Sequence, residues 1–156
     1  MDYRRASRKD LEALTDMGMF LWPNERREQM IKGIRTALSS ADHAVFVCAS
    51  DGVHAGFADV SLRRDYVPGV TSFPVGYVEG IYVKPAYRRK GVATRLIQLG
   101  EAWALERGCQ QMASDTWLWN TLSQEFHTRI GFHETERDVF YLKRIDPAEH
   151  QPQGER

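Results

Sequence analysis

Hydrophobic positions along the chain recur first at helical spacing and later at strand spacing. Leu11 and Leu14 fall on one helical face, and apolar residues recur at helical spacing between Met30 and Leu38. Alternation sets in at 53–57. We predict, in chain order, a strand at 1–5, a helix from a capping box at 7–10 to a break at 22–24, a helix capped by Asn24 and ended at 39–42, strands at 43–49, 53–63 and 75–83, a helix at 94–107, a strand at 111–116, a helix at 122–130 and a strand at 139–145.

This order of elements predicts an α/β fold of the mixed α+β kind. Asp51-Gly52 is a strong hairpin turn between two of the strands. At 156 residues the chain is long enough for one domain with a proper core, which we place at 1–145. Residues 146–156 are polar, contain two prolines and a glycine and lack apolar periodicity, so we expect a disordered tail there.

A basic, glycine-containing loop is the most informative segment of the chain. Arg88-Arg89-Lys90-Gly91-Val92-Ala93 separates the apolar run 78–83 from the helix predicted at 94–107. The first amides of a helix lack intrahelical partners, and the helix dipole favours anions there. Gly91 lets the backbone approach a ligand closely. The segment predicts a phosphate or pyrophosphate site, with an ordinary basic turn as the alternative, and it matches neither of the two commonest phosphate-binding loops.

Composition narrows the classes of function. Lys+Arg and Asp+Glu number 21 each, and this neutral balance argues against a dedicated nucleic-acid binder. We expect no membrane span and no secretory signal, because long apolar runs are missing from the sequence. Cys48 and Cys109 suggest neither a disulfide framework nor a metal site. We therefore expect a cytoplasmic protein without a metal.

Glu79 is the candidate general base, because it lies among apolar neighbours in the strand before the basic loop. Burial is expected to raise its pKa and so make it a better base near neutrality, whereas the alternative is a solvent-facing charge on a half-exposed strand. Asp115 ends the next strand, where ligands collect in open α/β sheets. Nearby, Trp119 suits packing and ligand contact equally, and Asn120 can cap the following helix, donate to a ligand, or do both.

Further acidic and aromatic side chains suit a cationic, hydroxyl-rich acceptor. Tyr66 follows Asp65 in the long loop at 64–74, and Glu134 and Glu136 lie before the last predicted strand. Each of them alone is more often a solvated surface residue, so the interpretation depends on the group. Cys109 can act as an acyl-carrying nucleophile in principle, but a buried structural thiol is the favoured interpretation because no histidine is adjacent in sequence.

The spacing Arg-x-x-Gly-x-Ala at 88–93 resembles the acyl-coenzyme A loop of the GCN5-related N-acetyltransferases. Other segments resemble, more narrowly, the aminoglycoside 6'-N-acetyltransferases of the dimeric branch typified by chromosomal enzymes of enteric bacteria and Acinetobacter. These segments are Gly56-Phe57-Ala58-Asp59, Arg64-Asp65-Tyr66-Val67, Val78-Glu79-Gly80-Ile81, Met112-Ala113-Ser114-Asp115-Thr116 and Glu134-Thr135-Glu136-Arg137. The resemblance extends over about 1–145.

This resemblance implies an acyltransferase fold with a central mixed, mostly antiparallel sheet flanked by helices. It implies direct transfer of acetyl from acetyl-coenzyme A to the 6'-amine of aminoglycoside antibiotics, with Glu79 as general base and antibiotic resistance as the result. The family's acceptor residues fall on Trp22, Tyr66, Glu79, Asp115 and Glu136. Its cofactor contacts fall on Ile81, Tyr82, Val83, Arg88, Arg89, Lys90, Gly91, Val92, Ala93, Thr94 and Asn120.

Two positions depart from the family pattern. Many members of the superfamily carry a tyrosine, as general acid toward the leaving thiolate, where this chain has His127, five residues before Phe132. Histidine can donate that proton or serve a structural role. Relatives often carry a histidine near the tryptophan-proline turn, where this chain has Glu25, and this difference can alter drug preference.

The resemblance also implies a homodimer in which the C-terminal strands associate across the two subunits. Large apolar side chains near those strands agree with an interface, and they are Trp117, Trp119, Phe140 and Tyr141. Two other functions stay open. One is acetylation of a different amine, such as a polyamine or a protein N-terminus, and the other is a non-catalytic acyl-coenzyme A-binding module, which has no need of a base at Glu79.

Overall fold

The computed structural model describes residues 1–152 and 154 of the chain. Strands and α-helices follow one another in nearly the predicted order. They are β1 (Asp2–Arg5), α1 (Leu11–Leu21), α2 (Arg27–Ser39), β2 (His43–Ser50), β3 (Val53–Arg63), β4 (Val75–Val83), α3 (Val92–Glu106), β5 (Met112–Ser114) and α4 (Thr121–Arg129). Short 3-10 helices lie at Arg8–Asp10, Pro85–Tyr87 and Pro147–His150.

The strands form one sheet in the order β1-β2-β3-β4-β5. Neighbours from β1 to β4 are antiparallel, whereas β5 runs parallel to β4. Asp51 and Gly52 both have positive φ, 49° and 77°, which is the backbone twist that a tight hairpin between β2 and β3 requires. The predicted mixed, mostly antiparallel sheet is confirmed.

Alternation along the strands sends apolar side chains to both faces of the sheet. Val60 is fully buried on the face that packs against Leu96 of α3. Val47 is fully buried on the opposite face, where Leu14 of α1 covers it. Helix α3 lies close to β3 because Gly100 has no side chain, since a Cβ atom there would lie 2.7 Å from Cγ2 of Val60. The sheet is therefore covered by helices on both faces.

Several boundaries and one element differ from the sequence predictions. The cap of α2 is Arg26 and not Asn24, because a turn in which the Glu25 amide donates to the Trp22 carbonyl delays the helix. The strand predicted at 139–145 does not form in the described chain, where Leu142 is fully exposed. A strand needs a hydrogen-bonding partner, and this segment lies away from the sheet edge within a single chain.

The predicted tail at 146–156 contains local structure at its start. The carboxylate of Asp146 accepts a hydrogen bond from the Ala148 amide at 2.9 Å and so caps the 3-10 helix Pro147–His150. Residues 153, 155 and 156 of that predicted tail lie outside the described residues. Among the described residues, every helix is too short or too polar to cross a membrane.

A buried carboxylate holds β1, the start of α1 and β3 together. The Asp10 side chain is 2% exposed and accepts two hydrogen bonds from the Arg4 guanidinium, at 2.7 and 2.9 Å. His54 Nε2 lies 2.7 Å from the same carboxylate, and the Ser7 amide donates to it at 2.8 Å. The Arg4 hydrogen bonds hold the pKa of Asp10 well below its usual range. Asp10 is therefore a structural anion that stabilises the fold.

We predict that Asp10→Asn lowers the free energy of unfolding by about 2 kcal/mol at neutral pH, because the amide cannot replace a charge-assisted pair with Arg4. The pKa of Asp10 is lower in the folded state, so its contribution is present above the unfolded value of about 3.8 and is lost as pH falls through the folded value. Urea unfolding at several pH values checks this prediction.

Asp16→Asn is the matched control, since Asp16 pairs with Arg27 on the surface and both side chains are at least half exposed. We expect its effect to stay below about 0.5 kcal/mol. Equal losses in the two variants would contradict the structural role of Asp10.

Candidate active site

The candidate site lies where β4 and β5 diverge. Strand β5 pairs with β4 only through Gly76–Val78, opposite Met112–Ser114. Strand β4 continues to Val83 and pairs with β3 along this further stretch, while the chain leaves β5 at Asp115. Residues 79–83 therefore keep one edge of their backbone open within the described part of the chain. An extended ligand can bind there as an added strand would, through hydrogen bonds to backbone amides and carbonyls.

The basic loop joins the open end of β4 to α3. Arg89 has a φ of 59° and Gly91 a φ of 77°, so the backbone turns sharply before the helix begins at Val92. This start is two residues earlier than predicted. The amides of 92–94 are in the first turn of α3 and have no intrahelical acceptor, so they are free to bind an anion. Around Gly91, within the described residues, a space of 4 Å is empty on the side where a Cβ would point.

The cationic and apolar side chains of the loop have different environments. Arg88 Nε donates to the Val83 carbonyl at 2.8 Å, so this arginine holds the loop against the end of β4. Lys90 Nζ lies 5.8 Å from the centre of the Tyr87 ring. The Val92 side chain is 2% exposed and belongs to the core, so only its backbone is available to a ligand. The loop thus offers an anion mainly backbone amides, with exposed cationic side chains as additional partners.

Glu79 is tightly held on β4. Ser61 Oγ donates to Glu79 Oε1 at 2.6 Å, and Arg63 Nε donates to the same oxygen at 2.9 Å. Arg63 Nη2 donates to Oε2 at 2.8 Å, which makes the arginine contact bidentate. The Glu79 side chain is 27% exposed, so the carboxylate is half-buried and still reachable from solvent.

The expected rise in the pKa of Glu79 is wrong. Burial raises it, but the hydrogen bonds from Arg63 and Ser61, together with the charges of Arg63 and His43, lower it by more, and the net pKa lies below the ordinary value of 4.5. The burial of Glu79 could be predicted from its apolar neighbours in sequence. Its contact with Arg63 could not, because Arg63 is 16 residues away along the chain. Glu79 is therefore ionised at neutral pH and ready to accept a hydrogen bond or a proton.

A second carboxylate is connected to the same cluster. Tyr77 Oη donates to Asp115 Oδ1 at 2.5 Å, and the Arg63 guanidinium lies over the Tyr77 ring, 3.4 Å from its centre. Burial, together with the hydrogen bond to Asp115, raises the pKa of Tyr77, so its hydroxyl stays protonated and keeps donating. Asp115 and Glu79 are thus connected through Tyr77 and Arg63, because Tyr77 binds Asp115, Arg63 binds Glu79, and the two connecting side chains stack on each other.

Trp22 also reaches this part of β4. A Cβ atom on Gly80 would lie 2.5 Å from two atoms of the Trp22 ring, so the missing side chain lets the ring lie on the strand next to Glu79. The ring also packs at 53° to that of Phe57, with 6.3 Å between the two centres. Trp22 remains 36% exposed and forms an apolar wall at the site.

Tyr66 and Glu136 are brought together from distant parts of the chain. Tyr66 Oη donates to Glu136 Oε2 at 3.4 Å, although the two residues are 70 positions apart. Thr135 Oγ1 donates to the Pro68 carbonyl at 3.3 Å and so holds the two loops in contact. The Tyr66 side chain is exposed. The pair therefore forms an outer, solvated acidic and aromatic group.

His127 on α4 contacts the end of β5, close to the place where β4 and β5 diverge. Its Nδ1 is 2.6 Å from the Ser123 carbonyl, which can only accept, so Nδ1 carries a hydrogen. Its Nε2 is 2.8 Å from Oγ of Ser114, the last residue of β5. His127 is thus oriented by α4 toward the gap between the strands, an arrangement that permits proton transfer through the Ser114 hydroxyl.

Asn120 serves the cap that its sequence position predicts. Its Oδ1 accepts a hydrogen bond from the Ser123 amide at 3.1 Å at the start of α4. The side-chain NH₂ group is not needed for that cap and can donate to a ligand. Within the described residues, groups of three or more His, Cys, Asp or Glu able to hold a metal ion are absent.

Sequence analysis missed Ser61, Arg63, Tyr77 and Ser114. The sequence does contain a pattern that points to Ser61 and Arg63. Together with Asp59 they are polar residues at every second position in the second half of a mostly apolar strand. Register places Ser61 opposite Tyr77 and Arg63 opposite Val75, and the Arg63 side chain extends along β4 from there to reach the Glu79 carboxylate. Tyr77 and Ser114 carried no comparable signal.

Comparison with known proteins identifies the class. The family model described as Acetyltransferase (GNAT) family matches residues 10–132, and the chain belongs to this family. The Aminoglycoside N(6')-acetyltransferase type 1 of Salmonella typhimurium strain LT2 is 42% identical over 144 residues, 92% of this chain and 99% of the relative. The enzyme of that name from Stenotrophomonas maltophilia is 37% identical over 146 residues, 93% and 94% of the two chains.

Solved structures agree with this assignment. The complex of AAC(6')-Iy with the bisubstrate analogue CoA-S-monomethyl-acetylneamine has a TM-score of 0.87 and 42% identity, covering 92% of this chain and 98% of the other. Apo AAC(6')-IG from Acinetobacter haemolyticus has a TM-score of 0.88 and 36% identity, covering 94% and 100%. The acetyltransferase fold and the resemblance found in the sequence are thereby confirmed.

Proposed function

We propose that the protein is an aminoglycoside 6'-N-acetyltransferase, which transfers acetyl from acetyl-coenzyme A to the 6'-amine of an aminoglycoside and so confers resistance. The observation that carries this proposal is the pair of carboxylates, Glu79 and Asp115, held together at the open edge of β4. The relatives described above bear this activity in their names. We also propose that the protein is cytoplasmic, as predicted from the sequence.

Acetyl-coenzyme A fits the anion site and the open strand edge together. The first amides of α3, with Arg88, Arg89 and Lys90 nearby, suit its pyrophosphate. The backbone from Ile81 to Val83 offers hydrogen bonds to the amides of its pantetheine arm. Asn120, at the start of α4, adds a donor on the opposite side of the gap.

The acceptor side suits a polycation. Aminoglycosides carry several amines that are protonated near neutral pH, and carboxylates bind ammonium groups through charge-assisted hydrogen bonds. Glu79 and Asp115 provide inner anions, and Glu136 with Tyr66 provides an outer group. Trp22 supplies an apolar wall for a sugar ring.

In the reaction, Glu79 accepts a proton from the acceptor amine through one or more waters, and the neutral amine attacks the thioester carbonyl. A tetrahedral oxyanion forms, which a β4 amide near Ile81 or Tyr82 stabilises. The attacking nitrogen gives up its surplus proton to solvent as the C–S bond breaks, which yields the amide, and the leaving thiolate takes a proton. We place that proton with the imidazolium form of His127, which keeps its Nδ1 hydrogen on the Ser123 carbonyl. Its Nε2 proton passes to the Ser114 hydroxyl while that hydroxyl donates its own proton to the thiolate, which leaves His127 neutral.

We further propose that the active form is a homodimer. The described C-terminal segment at 139–145 exposes 91% of Phe140, 92% of Tyr141 and all of Leu142. The loop after β5 also exposes Trp117 and Trp119. Apolar surface of this kind marks an interaction site, and a second copy offers a partner strand for the segment. The predicted strand at 139–145 would then form between subunits.

The cofactor site is tested by Gly91→Asp. We predict a rise of about tenfold or more in the KM for acetyl-coenzyme A, because a carboxylate would face the pyrophosphate at the start of α3. Gly91→Asn is the matched control, since asparagine has the same shape, tolerates positive φ and carries no charge. Equal KM values in the two variants would remove the loop from the cofactor site.

The proposed reaction is tested by an acceptor panel of tobramycin, kanamycin and a polyamine, with coenzyme A release as the readout. We predict turnover of the aminoglycosides and acetylation at the 6'-amine, with a kcat for Glu79→Gln lower by about 10²–10⁴-fold. Glu106→Gln is the control, since that carboxylate is 77% exposed at the end of α3. Preference for the polyamine would overturn the acceptor assignment.

The dimer is tested by sedimentation at micromolar concentration, where we predict twice the 17.9 kDa mass of the chain. Leu142→Asp should shift the species toward the monomer, because it places a charge in the interface. Leu105→Asp is the control, because Leu105 is 68% exposed on α3, away from the C-terminal segment. A fully active wild-type monomer would contradict the proposal.

A further inference from the structure

Arg63 is placed against Glu79 by the sheet itself. It ends β3 opposite Val75, and its side chain runs along the neighbouring strand to reach the Glu79 carboxylate with two hydrogen bonds of 2.9 and 2.8 Å. The guanidinium also lies over the Tyr77 ring, 3.4 Å from its centre. A planar cation stacked on an aromatic ring and paired in a fork has little freedom to move.

Among the described residues, these contacts leave Glu79 with one open acceptor position. A carboxylate offers about four lone-pair sites, two on each oxygen. Oε1 accepts from both Ser61 Oγ and Arg63 Nε, whereas Oε2 accepts from Arg63 Nη2. The remaining site is on Oε2, so an incoming water or amine meets Glu79 in one direction.

The same arginine limits the negative charge of the site. Glu79 and Asp115 are anions, and both act on Arg63. Two uncompensated carboxylates would stabilise an acceptor in its ammonium form, which has no lone pair for attack. The guanidinium offsets one of the two charges and so favours the neutral, nucleophilic amine beside Glu79.

We propose that Arg63 is a positioning residue of the transfer reaction, which aims Glu79 at a single donor and keeps the bound amine from being held as an ammonium ion. This inference rests on the proposed acetyl transfer. Arg63 acts through Glu79, and Tyr77 supports both the guanidinium and Asp115. The cation therefore improves turnover while it opposes the binding of a cationic acceptor.

Other groups near Glu79 titrate or carry charge. His43 on β2 pairs with Asp59 at 3.0 Å, and this hydrogen bond raises the pKa of His43, whose charge also acts on Glu79. Tyr77 stays neutral because its pKa is raised by burial and by the bond to Asp115. Arg63 is thus the permanent cation in direct contact with Glu79 among the described residues.

The experiment compares Arg63→Met, Arg63→Lys and wild type with an aminoglycoside acceptor over a range of pH. We expect Arg63→Met to lower kcat about 10–100-fold at neutral pH, with an acceptor KM equal to or below that of wild type. The fall of kcat on the acid side of its pH profile, the acid limb, should move to higher pH in this variant. Part of the lost kcat should therefore be recovered in alkaline buffer. Arg63→Lys keeps the charge and loses the fork, so its acid limb should stay near that of wild type.

Arg64→Met is the matched control, because Arg64 pairs with Asp42 where both side chains are at least half exposed. It should keep the wild-type kinetics. A wild-type kcat and acid limb in Arg63→Met would overturn the inference. A raised acceptor KM with an unchanged acid limb would also overturn it, because that result means Arg63 binds the acceptor directly.

Titration of the Glu79 carboxyl carbon by NMR separates this inference from the proposed function. Glu79→Gln assigns the signal, and the measurement needs no acceptor. We expect the pKa of Glu79 to rise in Arg63→Met relative to wild type. If the pKa of Glu79 rises in Arg63→Met but the wild-type protein acetylates no aminoglycoside, the contact between Arg63 and Glu79 is real and the proposed role of Arg63 in acetyl transfer is wrong. An unchanged pKa in a folded Arg63→Met, or in Arg63→Gln if the first variant is unstable, would overturn the inference.

Discussion

Strand β4 pairs with β3 on both sides of a β-bulge at Glu79 but pairs with β5 for only three residues, and the candidate site depends on this asymmetry. The pairing with β3 fixes the register of Glu79 against Ser61 and Arg63. The missing pairing beyond Val78 leaves a backbone edge open to an extended ligand. Because the basic loop follows the same strand, one element connects the cofactor site and the acceptor site.

The electrostatics of the site reflect two opposing needs. A polycationic acceptor requires anions for capture, whereas nucleophilic attack requires one of its amines to be neutral. In the proposed reaction, Glu79 and Asp115 would meet the first need, and Arg63 would meet the second by offsetting part of their charge. Burial of Glu79 alone would have raised its pKa, but the hydrogen bonds from Arg63 and Ser61 and the charges of Arg63 and His43 together outweigh burial. The resulting carboxylate is an oriented, ionised acceptor and a weak base.

The C-terminal segment shows the opposite situation, in which a strand pattern lacks its partner. The β-branched and aromatic residues at 139–145 satisfy the local requirement for a strand, but in a single chain the segment is exposed. Backbone groups need hydrogen-bonding partners, and large apolar side chains need cover. A second subunit supplies both, which gives the proposed dimer a physical cause.

The sequence by itself determined most of the elements, because helical and strand periods and turn residues are local properties of the chain. It also located the basic glycine loop before α3, although the predicted start of that helix at 94 was two residues late. It also indicated Glu79, Asp115 and the other candidate acceptor residues, partly through the family resemblance. Only the tertiary structure decided the partners of those residues. Arg63 and Tyr77 meet Glu79 and Asp115 through strand register, and register depends on contacts between distant segments. For the same reason, the direction of the pKa shift of Glu79 was set by a cation from another strand and not by its apolar neighbours in sequence.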